Sequence, residues 1–227
     1  MGRFTQSIYA LVAALLAGLA VSTSSWAAFV TTNELGMDAI YADPIFGPNP
    51  IDIRFNSTVT IANTGLLNIT SLAQLNTLFG LSPVSSPGIN MFFVDTVGVC
   101  NLPDQTPTIT GCATINGNDI VVESVVAGGP DGAKLNSHEL GHNLGLPHTA
   151  ECATSVPDNL MDCQLIGSDL TAGQVSTILL SGLIQTDVGG KFVSITPVLI
   201  VPVPIPPAVW LFGSALGLLG WMRRKAT

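Results

Sequence analysis

The chain has 227 residues, of which 15 are acidic and 7 basic, giving a formal net charge of −8. From Ala28 to Ile200 the imbalance is sharper, because Arg54, Lys134 and Lys191 stand there against all fifteen acidic side chains. So acidic a body excludes nucleic acid and anionic lipid as electrostatic partners. It is compatible with calcium, although no EF-hand-type loop supports a calcium site.

Residues 1–27 read as an export signal. Arg3 supplies the positive start, Ile8 to Val21 an apolar stretch, and Ser25-Trp26-Ala27 small residues at the −3 and −1 positions of a cleavage site after Ala27. An uncleaved amino-terminal anchor is the alternative. Export implies an oxidising compartment, and Cys100, Cys112, Cys152 and Cys163 are even in number. Three connectivities are open to them. Cys100 with Cys112 and Cys152 with Cys163 is the most economical, and the second bridge would be worth about 3 kcal/mol in the chain-entropy model. A cysteine acting as a latency switch is the rival, and the even count argues against it.

Residues 28–192 suit one domain of the mixed α/β (α+β) class. Pro50 to Phe55 alternates like a first strand, bounded by the Pro/Gly-rich Gly47 to Pro50. Within Leu66 to Phe79, Leu72, Leu75, Leu78 and Phe79 recur at helical spacing and Gly80 stops the pattern. Ile89 to Val99 predicts a buried central strand, and Leu102 to Gly111 a loop pinned by Cys100 and Cys112. Ile120 to Val126 predicts another strand, ended by Gly128-Gly129-Pro130. Leu170 to Leu183 predicts a last helix capped by Ser168 or Asp169.

Between those last elements lies His138-Glu139-Leu140-Gly141-His142-Asn143-Leu144-Gly145-Leu146-Pro147-His148, which contains all 3 histidines of the chain. In a helix starting near Asp131, His138 and His142 project from one face at a separation that one metal ion can bridge. Gly145 sits where the helix must stop, and its freedom to take positive φ lets His148 swing round as a third ligand. Three neutral imidazoles leave a fourth tetrahedral position for water, the layout of catalytic zinc. Glu139, beside the first ligand, is the candidate general base.

This pattern resembles the zinc signature of the metzincin metallopeptidases, closest to the adamalysin (reprolysin-like) form. Asn159-Leu160-Met161-Asp162 resembles the family's methionine turn, which implies that Met161 forms a hydrophobic floor beneath the metal without binding it. The resemblance implies a twisted mixed sheet, a zinc-binding helix and a small lower subdomain after the third His. It also implies an edge strand that takes a peptide or protein substrate as an added strand. The expected activity is that of a zinc endopeptidase. The alternative from another class is a non-catalytic zinc-containing matrix or surface binding protein, which would have no need of Glu139.

Residues 193–203, rich in Val, Ile and Pro, predict an extended linker. Pro207 to Met222 is uncharged and mainly apolar, and Arg223-Arg224-Lys225 follows, so 207–222 reads as a short transmembrane segment with a positive stop. Residues 204–227 resemble a PEP-CTERM sorting signal of the proline-variant type, although the Glu of the naming pattern is missing. That resemblance implies an exosortase-type processing enzyme and a transient stay in the inner membrane. The destination would be the periplasm, cell surface or extracellular matrix of a Gram-negative bacterium. An ordinary tail anchor is the alternative.

Overall fold

A computed structural model describes residues 28–101, 109–149, 158–163 and 167–204. Its helices are α1 (Glu34–Tyr41), α2 (Leu72–Phe79), α3 (Ser124–Ala127), α4 (Gly132–Asn143) and α5 (Ala172–Leu179). The strands are β1 (Ile51–Phe55), β2 (Val59–Ala62), β3 (Asn68–Ile69), β4 (Ile89–Val94), β5 (Thr96–Val97), β6 (Gly111–Ala113), β7 (Asp119–Glu123), β8 (Gln185–Asp187) and β9 (Gly190–Val201).

One sheet dominates, in the order β1-β9-β4-β7-β6, with β2 and β8 also paired to β9. β1, β2 and β4 run parallel to β9, and β7 runs parallel to β4. β6 is antiparallel to β7, and β8 to β9. The class is therefore mixed α/β, as the sequence predicts.

Period-2 alternation sends successive side chains to opposite faces of the sheet. Met91, Phe93, Ile120, Val122, Val193 and Ile195 pack on one face with Met37, Leu135, Leu140 and Met161. Phe92, Val94, Val121, Val198 and Ile200 pack on the other with Leu75 and Leu78. Apolar runs such as Ile89 to Val94 arise because both faces are covered.

The linker expectation for 193–203 is corrected by this topology. The segment is extended, but through Val201 it is β9, enclosed between β4 on one side and β1 with β2 on the other. Pro197 lies inside it, where a missing N–H would ordinarily break a ladder. β1 pairs with Lys191 to Ile195 and β2 with Val198 to Val201, so Thr196 and Pro197 face the break between them. The Ile195 carbonyl accepts from Asn56 N–H on that side. Backbone groups alternate sides along a strand, so the position of the absent Pro197 N–H also points into the break. The domain thus continues past residue 192.

Several boundaries also differ from expectation. The predicted strand 120–126 stops at Glu123, and Ser124–Ala127 turns into α3. The run 89–99 divides into β4 and β5, the latter paired with β3 in a second small sheet. α5 begins at Ala172, and its cap is Thr171 rather than Ser168 or Asp169; Thr171 and Gln174 form a capping box. The cysteine expectation holds at Cys100–Cys112, which are disulfide-bonded. Cys163 is also disulfide-bonded, while Cys152 lies outside the described residues.

The expected export signal 1–27 and the expected span 207–222 lie outside the described residues as well. Among the described residues, no helix is long and apolar enough to cross a membrane.

Candidate metal centre

α4 carries the first two histidines as the spacing predicts, and its whole second half is enclosed. His138 is 3% exposed, Glu139 5% and His142 1%. The helix ends with Leu144 as C-cap, and Gly145 follows at φ 100°. That left-handed conformation favours glycine. The chain then doubles back, and His148 arrives half-buried at the other two.

The ligand nitrogens of the three rings all lie within 4.8 Å of one another. His148 Nε2 is 3.2 Å from His138 Nε2 and 3.2 Å from His142 Nε2. A tetrahedral zinc ion with bonds of about 2.0–2.1 Å sets its nitrogens about 3.3–3.4 Å apart. The two distances to His148 match that spacing, and three imidazoles within 4.8 Å of one another could hold one metal ion, consistent with zinc.

The tautomers support that fit. His138 Nδ1 lies 2.7 Å from the Leu160 carbonyl, and His142 Nδ1 lies 2.7 Å from the Leu146 carbonyl. A carbonyl only accepts, so each Nδ1 carries the proton and each neutral ring presents its Nε2 lone pair to the cluster. A proton on His148 Nε2 could satisfy one of these lone pairs but not both; a cation satisfies all three. Burial, with the neighbouring imidazoles, holds His138 down to about 3. Burial holds His142 down to about 4, with His148 adding to the effect. Both rings are thus neutral, as ligands must be.

Glu139 is buried in the same helix, and burial alone pushes its carboxyl up to about 8. Its Oε2 has no hydrogen-bond partner among the described residues. A buried orphan oxygen, here on the residue that follows His138 in sequence, is where a water or a positive charge would be expected.

Met161 is fully buried and meets α4 at Gly141, where an added Cβ would stand 2.5 Å from Met161 Sδ. The expected apolar floor therefore touches the helix between the two ligands. Met161 O also accepts from Thr149 N–H at 3.2 Å, so the turn reaches the residue after His148.

Four residues that hold the site were not singled out by motif reading. Gly111 of β6 leaves room for the Glu139 side chain: a Cβ there would lie 2.6 Å from Glu139 Oε1. Asn116, at φ 60°, donates its N–H to His142 O at 3.1 Å; the Asn-Gly dipeptide was the available signal for this hairpin. Tyr41 OH donates to Ser137 O at 2.8 Å, just before the first ligand. Buried Asn143 donates to Thr114 O at 2.9 Å and to Asp119 O at 3.2 Å, tying α4 to the β6–β7 hairpin.

Fold and site together define a mixed α/β protein with a three-histidine cluster, two of its rings buried and one half-buried, that could hold a single metal ion, compatible with zinc. No family model, no curated protein and no solved structure matches the chain.

Proposed function

We propose that this protein is a zinc-dependent endopeptidase of metzincin type, secreted or surface-associated after processing at both ends. The observation that carries the proposal is the buried Glu139 carboxyl, with an unpartnered oxygen, in sequence next to a ligand of a three-histidine cluster. A purely structural metal site has no use for it.

His138, His142 and His148 would hold the ion. Zinc would supply Lewis acidity, lowering the pKa of a water towards neutrality and polarising the scissile carbonyl. Glu139, kept ionised by the charge of a bound ion, would accept a proton from a water and deliver it to the leaving amine nitrogen. Gly111, on β6, leaves the space that the Glu139 carboxyl occupies. Met161 packs under the ligands and excludes water from below.

β6 pairs only with β7 among the described strands. Its other edge is the candidate rail on which an extended peptide adds as a strand, with backbone hydrogen bonds giving affinity. The partners in this reading are a peptide or protein substrate, an exosortase-type enzyme acting beyond β9, and the inner membrane in passing.

The test is direct. Zinc-loaded protein incubated with a diverse peptide library should produce internal cleavages, read by mass spectrometry. His148→Ala should bind zinc more than about 100-fold more weakly, since even outer-sphere changes cost 10–100-fold. Full zinc occupancy without cleavage of any peptide would favour the non-catalytic binding protein instead, and equal zinc retention in His148→Ala would remove the ligand assignment.

A further inference from the structure

The methionine turn is gripped from outside the site by a side chain on α5. Asn159 Nδ2 donates to Gln174 Oε1 and Gln174 Nε2 donates to Asn159 Oδ1, each at 3.0 Å. Asn159 is 7% exposed. Its Oδ1 also accepts from Met161 N–H at 2.9 Å, so this one amide oxygen sits inside the turn. The backbone adds two bonds, Leu160 N–H to Asp169 O and Asp169 N–H to Asp158 O, both at 2.7 Å.

From the turn, contacts lead to two ligands. Leu160 O accepts the Nδ1 proton of His138 at 2.7 Å, and Met161 O accepts from Thr149 N–H, one residue beyond His148. Such acceptors orient a ligating ring and raise its basicity.

Gln174 has a second task. Thr171 N–H donates to its Oε1 at 2.8 Å, and its own N–H donates to Thr171 Oγ1 at 3.3 Å, the capping box of α5. Glu serves a capping box as well as Gln does. Among the described residues the amide nitrogen is used only by Asn159, and that asymmetry separates the two tasks.

We propose that Gln174 is a positioning residue for the metal centre: through Asn159 it sets the methionine turn, and through Leu160 O it fixes the tautomer and orientation of His138. The proposal rests on the metal-binding half of the function proposed above, and not on peptide hydrolysis.

Zinc dissociation constants of the purified protein, measured against a chromogenic chelator, test it together with the melting temperature of each metal-free variant. Gln174→Glu keeps the cap but sets an acceptor against Asn159 Oδ1, and should weaken zinc binding about 10-fold or more. Thr171→Ala does the reverse: it should lower the melting temperature by loss of the cap and leave zinc affinity within about twofold of wild type. Asn159→Ala should match Gln174→Glu, and the double variant should bind no more weakly than Asn159→Ala, because both act through one link. If Gln174→Glu does not fold, Asn159→Ala reads the same link from the turn.

Wild-type affinity in Gln174→Glu or in Asn159→Ala, or an equal loss in Thr171→Ala, would overturn the proposal. Wild-type protein that binds zinc but cleaves nothing would leave this comparison intact and refute only the peptidase. Wild-type protein that takes up no zinc would overturn both.

Discussion

Strand β9 and helix α4 both lie in the interior, but they bury residues of different kinds. β9 contributes Val193, Ile195, Val198 and Ile200, each 0% exposed, to the two faces of the sheet. α4 buries Leu135 and Leu140, but also Asn136, Ser137, His138, Glu139, His142 and Asn143, none above 5% exposed. Burying apolar side chains of that size contributes about 1.5–3 kcal/mol each. Burying a polar group without a partner costs about 1–3 kcal/mol in mutational data. Ser137 Oγ, Asn136 Oδ1, Asn143 Oδ1 and Glu139 Oε2 have no hydrogen-bond partner among the described residues. β9 is thus a source of stability, whereas α4 is a helix whose polar interior draws on stability supplied elsewhere.

The largest effect expected from this contrast is at β9. A chain ending before Gly190 lacks the strand between β1 and β4 and should not fold, whereas one ending after Pro204 should give native circular dichroism and cooperative melting. The point variant Ile195→Ala should cost about 2–5 kcal/mol in urea denaturation, the range for a buried Ile truncated to Ala. A folded domain lacking 190–204 would show that β9 is dispensable.

Next in size is a change on the strand facing α4. Gly111→Ala places a Cβ against the Glu139 carboxylate, and a displacement of about 1 Å at a catalytic group can cost about 100-fold in rate. Peptide turnover should fall by that order while zinc content stays at the wild-type level. Unchanged turnover would mean that β6 gives way and that the carboxylate is not confined by it.

That pair of tests also shows what was legible in the sequence. α4 was readable because its chemistry is written in a short stretch: the His spacing brings three ring nitrogens together, and Gly145 takes the positive φ expected at the end of the helix. β9 was not, because its Val, Ile and Pro residues spell a linker as well as a strand. Only the break between β1 and β2 makes room for Pro197, and that is a tertiary fact. Gly111 and Gln174 were invisible for the same reason, since each matters through a residue distant in the chain. The Asn116-Gly117 hairpin signal was present but local, and no apolar run marked the short β6 beside it.

The smallest expected effect is the pH dependence of the metal-free protein. The folded pKa values of His138 and His142, about 3 and about 4, lie below the ordinary 6.5. The unfolded chain therefore takes up their protons first, and stability falls as pH drops from about 6.5 towards 4. Glu139 is shifted the other way, to about 8 from 4.5, so its contribution is present below 4.5 and is lost as pH rises to 8. Above 6.5 only the Glu139 effect among these three remains. Metal-free Glu139→Gln should accordingly lose less stability than wild type between pH 6.5 and 8, measured by chemical denaturation. Parallel curves over that interval would show that the carboxyl is not held protonated by burial.

The most direct test of the account is the comparison of wild type and Glu139→Gln for zinc content and peptide hydrolysis in the same preparations. The amide keeps size and shape but cannot accept a proton. Zinc occupancy and fold should be unchanged, substrate should still bind, and turnover should fall by about 10²–10⁴-fold, the contribution of a general base. Turnover equal to wild type, with zinc in place, would contradict the assignment of Glu139 as the base.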